Sequence, residues 1–218
     1  LMSEPFAFLC IVDGCYTILD AGEDVFLNCE IACVDLMANF IVEPGLDTTE
    51  YLIDGPLCDV PPLEGGTPTN IIVDDTWSQV IDLPFDFNYY TNDYSQLVVG
   101  PNGQISFNTA LAGGFNGWNS EPEDLLPVTD GNFPLNTIYG AYHDLQPATN
   151  PDPTRINYFI SGVAPYRIFV LNFNEVPHFG GACDDTFFTS QQILLYESIN
   201  VIDVNLINKP SCPAWNDG

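Results

Sequence analysis

Residues 77–107 read WSQVIDLPFDFNYYTNDYSQLVVGPNGQISF. Phe85, Phe87 and Tyr89 alternate with Asp86 and Asn88, so the rings share one face of an extended chain and the polar groups the other. Gln96–Val99 is a short apolar run. Pro101-Asn102-Gly103 is turn chemistry, because Asn and Gly tolerate positive φ. Gln104–Phe107 returns with Ile105 and Phe107 on one side. The stretch therefore predicts a hairpin within an all-β module.

Further strands are expected on both sides of it: Ile71–Val73, Thr137–Tyr142, Ile156–Ile160, Tyr166–Phe173, Gln191–Tyr196 and Val201–Ile207. Their spacing is that of a sandwich. Leu111–Pro134 is a long insertion rich in Gly, Asn and Pro that contains Trp118, and loops of this length usually act or pack as a unit. Helix signal is confined to one candidate turn at Glu121–Leu126, with Pro122 at a first helical position. Residues 60–69 are rich in Pro and Gly and read as a connector. Residues 1–60 form a small β-segment of their own, and residues 61–218 form the main domain.

The motif order resembles a known family. W-x-x-x-I-x-L-P-F-x-F, followed by Y-x-x-L-x-V-G-x-N-G-x-I-S-F, is similar to the nidogen-like β-domain of very large secreted surface proteins of Bacteroidota. Tyr139-Gly140-Ala141-Tyr142-His143-Asp144, Ile156-Asn157-Tyr158, Arg167–Phe173, Ser190–Glu197 and Asn208-Lys209-Pro210-Ser211-Cys212 extend the match. Many such proteins are gliding-motility-associated adhesins exported by the type IX secretion system. The resemblance implies a nidogen-like sandwich at the bacterial cell surface, with a structural or adhesive role. It also implies that the polypeptide continues past Gly218 with at least one more apolar strand. It names no ligand.

Composition narrows the partners. Apolar residues are 46% of the chain, enough for a sizeable core. Thirty acidic residues face only Arg155, Arg167 and Lys209, for a net charge of −27. That argues against nucleic acid as a partner class, because phosphate binding needs clustered cations. It also disfavours anionic lipid surfaces. No run approaches the ~20 apolar residues of a membrane span, so no membrane insertion is expected. The N-terminal run LMSEPFAFLCIVDGCYTIL lacks a basic start and is broken by Glu4 and Asp13. It reads as mature protein, and the chain as processed or as a piece of something longer.

Seven cysteines in an acidic, loop-rich chain suggest an oxidising compartment. A zinc site would call for C-x2-C pairs or adjacent histidines, but His143 and His178 lie far from any cysteine pair in sequence. Disulfides are the expectation: Cys29–Cys33, Cys183–Cys212 and Cys10–Cys15, with Cys58 odd. Cys183 and Cys212 fall at the ends of neighbouring predicted strands.

Acidic loops supply the candidate metal ligands. Calcium takes six to eight oxygens from carboxylates and carbonyls. Asp74, Asp75 and Asp144 are the candidate Ca2+ ligands, with turns or caps as their alternative role. Asp152, Asp184 and Asp185 are further acids in loops. His143-Asp144 could serve a nucleophile, but no G-x-S-x-G elbow accompanies it, so a structural role at a strand end is the simpler reading. Glu121, Glu123, Glu175 and Glu197 show no spacing that singles out a glycosidase pair. No catalytic residue is assigned and no enzyme activity is expected. Trp118 is the candidate ligand-facing aromatic, for stacking on surface glycans.

The apolar N-terminal run has no evident partner strand in its own module. Phe6, Phe8, Ile11, Tyr16 and Ile18 are therefore candidates for strand donation to an open sheet edge. The sequence thus supports a non-enzymatic structural or adhesive surface module, partnered by other copies or by neighbouring domains of the same surface protein. The alternatives are a filament subunit joined by strand donation, and a secreted carbohydrate-binding or hydrolase accessory domain.

Overall fold

In the computed structural model, which describes residues 18–20, 39–41, 48, 50–52, 62–118, 133–184 and 186–214, the chain divides into two units. The first comprises Leu1–Leu46 and Tyr51–Val60. Its described strands form an antiparallel ladder of β1 (Ile18–Asp20) with β2 (Asn39–Ile41), in which Ile18 stands opposite Ile41. The expected donor positions Phe6, Phe8, Ile11 and Tyr16 lie outside the described residues, as do Cys10, Cys15, Cys29, Cys33 and Cys58.

The second unit, Asp47–Glu50 with Pro61–Gly218, is all-β. Its strands are β3 (Thr67–Pro68), β4 (Ile81–Tyr89), β5 (Asn92–Gly100), β6 (Gln104–Ser106), β7 (Thr137–Tyr139), β8 (Ile156–Ser161), β9 (Ile168–Pro177), β10 (Phe188–Tyr196) and β11 (Ile202–Asn208). They build two antiparallel sheets, one ordered β4-β5-β6-β7 and the other β11-β10-β9-β8-β3. Both contribute to one core. Phe87, Leu97 and Ile105 come from the first sheet, and Ile156, Phe169, Leu171, Phe173, Ile193 and Leu195 from the second, all fully buried. Burying such a side chain is worth about 1.5–3 kcal/mol, so this sandwich face dominates the fold.

Several boundaries differ from the sequence reading, each for a physical reason. β4 starts at Ile81 rather than Phe85, because Ile81 and Leu83 continue the inward alternation. Pro84 is tolerated inside it because β4 is an edge strand, and its register shifts between Asp82 and Phe87. β5 starts at Asn92, immediately after a turn in which Tyr90 and Thr91 have φ of 46° and 66°. Neither residue signals a turn in sequence. Thr48 holds this one: its Oγ1 accepts from the Tyr90 N–H at 3.0 Å, and its carbonyl accepts from the Thr91 N–H at 2.7 Å. Ile71 is buried in the core but lies in a loop, not in the expected strand 71–73. β3 falls instead inside the Pro and Gly-rich connector. The candidate helical turn at 121–126 lies outside the described residues. A short 3-10 turn, Thr109–Leu111, is capped by the Asn108 side chain.

The Pro101-Asn102-Gly103 turn joins β5 to β6 as expected. Gly103 has φ +92°, and a Cβ there would meet the Ala141 carbonyl at 2.8 Å, so both the backbone conformation and the space demand glycine.

One polar feature crosses the outer face of the larger sheet. Asn157, Asn172, Gln192 and Asn205 stand directly opposite one another on β8, β9, β10 and β11. The Asn172 amide donates to Asn157 Oδ1 at 3.0 Å, and Gln192 Nε2 donates to Asn172 Oδ1 at 2.5 Å. Leu63 closes over this ladder by exchanging two hydrogen bonds with the Gln192 amide, of 3.2 and 2.5 Å. Paired amides are what allow Asn172 and Gln192 to be 98% buried without penalty.

Candidate functional site

Asn102, fully buried at the β5–β6 turn, organises the site. Its Nδ2 donates to Asp75 Oδ1 at 3.0 Å and to Asn116 Oδ1 at 3.1 Å, while its Oδ1 accepts from the Leu145 N–H at 2.8 Å. One side chain thus ties together the loop before β4, the insertion after β6 and the segment after β7. The Asn116 N–H donates to the Asp75 carbonyl at 2.7 Å and fixes the loop further. Asp75 itself has φ 48°. The Phe179 N–H donates to the Asp144 carbonyl at 3.1 Å.

The outcome is that Asp74, Asp75 and Asp144, the three candidate ligands, come together. One carboxylate oxygen from each lies within 4.8 Å of the others, with Asp144 buried and the other two half-buried. The Gln146 amide, turned with its nitrogen toward Asp74, donates to both carboxylate oxygens at 3.0 and 3.2 Å. Burial, then the neighbouring Asp75 and Asp184, raises the Asp74 carboxyl to about 6, against the opposing Asp75 N–H. Burial also raises Asp75, against the Asn102 hydrogen bond. Crowded carboxylates that resist ionising together are relieved by a cation. An all-oxygen set suits Ca2+ rather than zinc, with carbonyls and waters completing the shell.

Beside this cluster lies a second buried group that the sequence reading treated only as His143. His143 Nε2 and His178 Nε2 sit 2.8 and 2.9 Å from one hydroxyl, that of the fully buried Thr189. The hydroxyl has a single proton, so it donates to one ring and accepts N–H from the other. Both rings are held neutral. Burial, then His178 and Lys209, lowers His143 to about 3, and burial, then Lys209, lowers His178 to about 4. A structural role fits this arrangement, since the Thr189 hydroxyl that the two rings share is closed to solvent. His178 could not be paired with His143 from sequence, because the two meet only through Thr189 on β10.

The remaining candidates are dispersed. Cys183 and Cys212 form the expected disulfide, with Cα atoms 6.0 Å apart. It anchors the turn that holds Asp184, near Asp74. Trp118 is half-buried next to Gly117, whose carbonyl accepts from the Tyr142 hydroxyl at 3.1 Å. Residues 119–132 of its loop lie outside the described residues, Glu121 and Glu123 among them. Glu197 forms a two-pronged pair with Arg167, at 2.7 and 2.5 Å, which lowers the Glu197 carboxyl and raises the guanidinium. Arg167 also sits 5.5 Å over the Phe85 ring. Glu175 is on β9, its carbonyl accepting from Arg155.

A family model described as NIDO related matches residues 60–218. No curated protein and no solved structure matches the chain.

Proposed function

The chain belongs to the NIDO-related family, and from that membership we propose a non-enzymatic structural and adhesive module of a bacterial cell-surface protein. The observation that carries the reading is the family match over the whole two-sheet unit. The Cys183–Cys212 disulfide supports an oxidising, extracellular setting. Among the described residues no helix is long and apolar enough to cross a membrane. The nidogen-like domain and its disulfide are consistent with an extracellular protein. The gliding-associated, type IX-exported context extends this reading. Ca2+ bound by Asp74, Asp75 and Asp144 would stiffen the loops that join the two sheets. Surface glycans are the partner class assigned to the Trp118 loop.

The test is made on cells. Protease added to intact bacteria should cleave the chain, and a strain lacking it should attach or spread less than its parent. A chain shielded from protease, or a deletion strain that attaches and spreads normally, overturns the reading. Polysaccharide or ester turnover by the purified chain, lost on changing His143 or Asp144, would overturn its non-enzymatic part. A filament subunit is the second reading, favoured by the exposed apolar positions of edge strand β11. It expects the purified chain to grow into open polymers.

A further inference from the structure

We propose that β11 is an interaction edge that pairs, antiparallel, with β11 of a second copy of this chain, about a two-fold axis through Asn205. Among the described strands β11 is bonded only to β10, and no described strand pairs with its other edge. Ile202, Val204 and Leu206 stand opposite Leu195, Ile193 and Gln191, and so lie on the core-facing side of the sheet. Those three β10 residues are fully buried, yet Val204 is 43% and Leu206 56% exposed. The core face therefore runs one strand further than the opposing sheet covers it. Natural edge strands are guarded by lysine, proline or inward charge. β11, Ile-Asp-Val-Asn-Leu-Ile-Asn, has none of these guards on its core-facing side.

Three observations select a second copy as the occupant. The first is self-complementarity. An axis through Asn205 puts Val204 against Leu206 of the partner and Leu206 against the partner's Val204, on one face. The second is charge. Asp203 is the only charged residue of β11, its carboxylate bonded to the Tyr196 hydroxyl at 2.7 Å, and the same axis sets it opposite Ile207 rather than another Asp203. The edge thus carries a single negative charge within a chain of net charge −27, and that charge already has a partner in its own chain. The third is the amide ladder. It runs Asn157, Asn172, Gln192 and ends on Asn205, whose amide makes no hydrogen bond among the described residues. An amide is donor and acceptor at once, so Asn205 across a two-fold completes its own ladder. The paired sheets become one continuous ten-stranded sheet, five strands from each copy.

Sedimentation velocity on the full chain tests this. The expected result is a closed dimer, twice the chain mass, that strengthens with added salt as like-charge repulsion is screened. Val204→Lys with Leu206→Lys should give a folded monomer whose melting temperature no longer depends on protein concentration, since both side chains are about half exposed. Val73→Lys, at a site 58% exposed but off this edge, should leave the dimer intact. A wild-type monomer at all concentrations, or a dimer that survives the double lysine change, overturns the proposal. Open polymers in place of a closed dimer overturn it as well. So does loss of association on placing charge in the N-terminal run, Phe8→Asp with Ile11→Asp, which would assign the edge to a donated strand.

Discussion

The His143 and His178 rings stand 4.5 Å apart, nearly edge to face, and both aim Nε2 at the Thr189 hydroxyl. Thr189→Val would leave two buried ring nitrogens without their partner. An unsatisfied buried polar group costs about 1–3 kcal/mol, so for the two nitrogens a loss of about 2–6 kcal/mol is expected in denaturant unfolding. Thr189→Ser keeps the hydroxyl and should recover most of it. Equal stability for the valine and serine variants would show that the shared hydroxyl does nothing.

The same pair sets a pH dependence. Both histidines titrate lower in the fold, at about 3 and about 4, than their ordinary value of 6.5. The unfolded chain therefore takes up protons first. Their contribution is complete above the ordinary histidine range and is lost as pH falls from there through the folded values. One pKa unit is about 1.4 kcal/mol, so the combined loss is on the order of several kcal/mol. Asp74, raised to about 6, acts in the opposite sense: its contribution is present in acid and fades as pH rises through that value. In His178→Gln, stability should fall less steeply than in the parent as pH drops from neutral to about 4. Parallel curves would contradict this.

Ca2+ should raise the melting temperature relative to chelator at matched ionic strength. A ligand at 100 times its dissociation constant adds about 2.7 kcal/mol. Asp144→Asn should abolish the shift, because Asp144 is the buried member of the cluster. An unchanged melting temperature in the parent chain rules out a specific site.

The Cys183–Cys212 bridge spans a sequence separation of 29. Closing a loop of that size contributes about 3–4 kcal/mol in the chain-entropy model. Replacing both cysteines by serine should lower stability by about that amount while the sheets still form. Peptide mapping without reductant should recover 183–212 as one cross-linked pair, and would also establish the pairing of the other five cysteines.

Alternation made the sheets legible. Phe85 and Phe87 facing inward, Ile105 and Phe107 returning, and the Asn102-Gly103 turn follow from period two and from glycine's freedom at positive φ, which are local properties. The start of β4, the turn at Tyr90-Thr91 and the short strand β3 were not legible, because Pro84, Thr48 and Tyr158 act on them from strand position or from afar. Charge balance and cysteine count, likewise countable, already disfavoured nucleic acid and pointed to an oxidising compartment.

Residue type alone singled out Asp74, Asp75 and Asp144, but their convergence is a tertiary fact. Asp144 is far along the chain from the other two, and it is Asn102, placed by a hairpin turn, that ties Leu145 and Asp75 to one amide. Pairing between strands distant in sequence likewise decided that His143 meets His178 at Thr189, and that Asn157, Asn172, Gln192 and Asn205 align in one row. Local pattern determines which face of a strand is apolar, because neighbouring side chains alternate. Register between strands is set by the packing of whole sheets, so only the folded chain could decide which polar groups share a site.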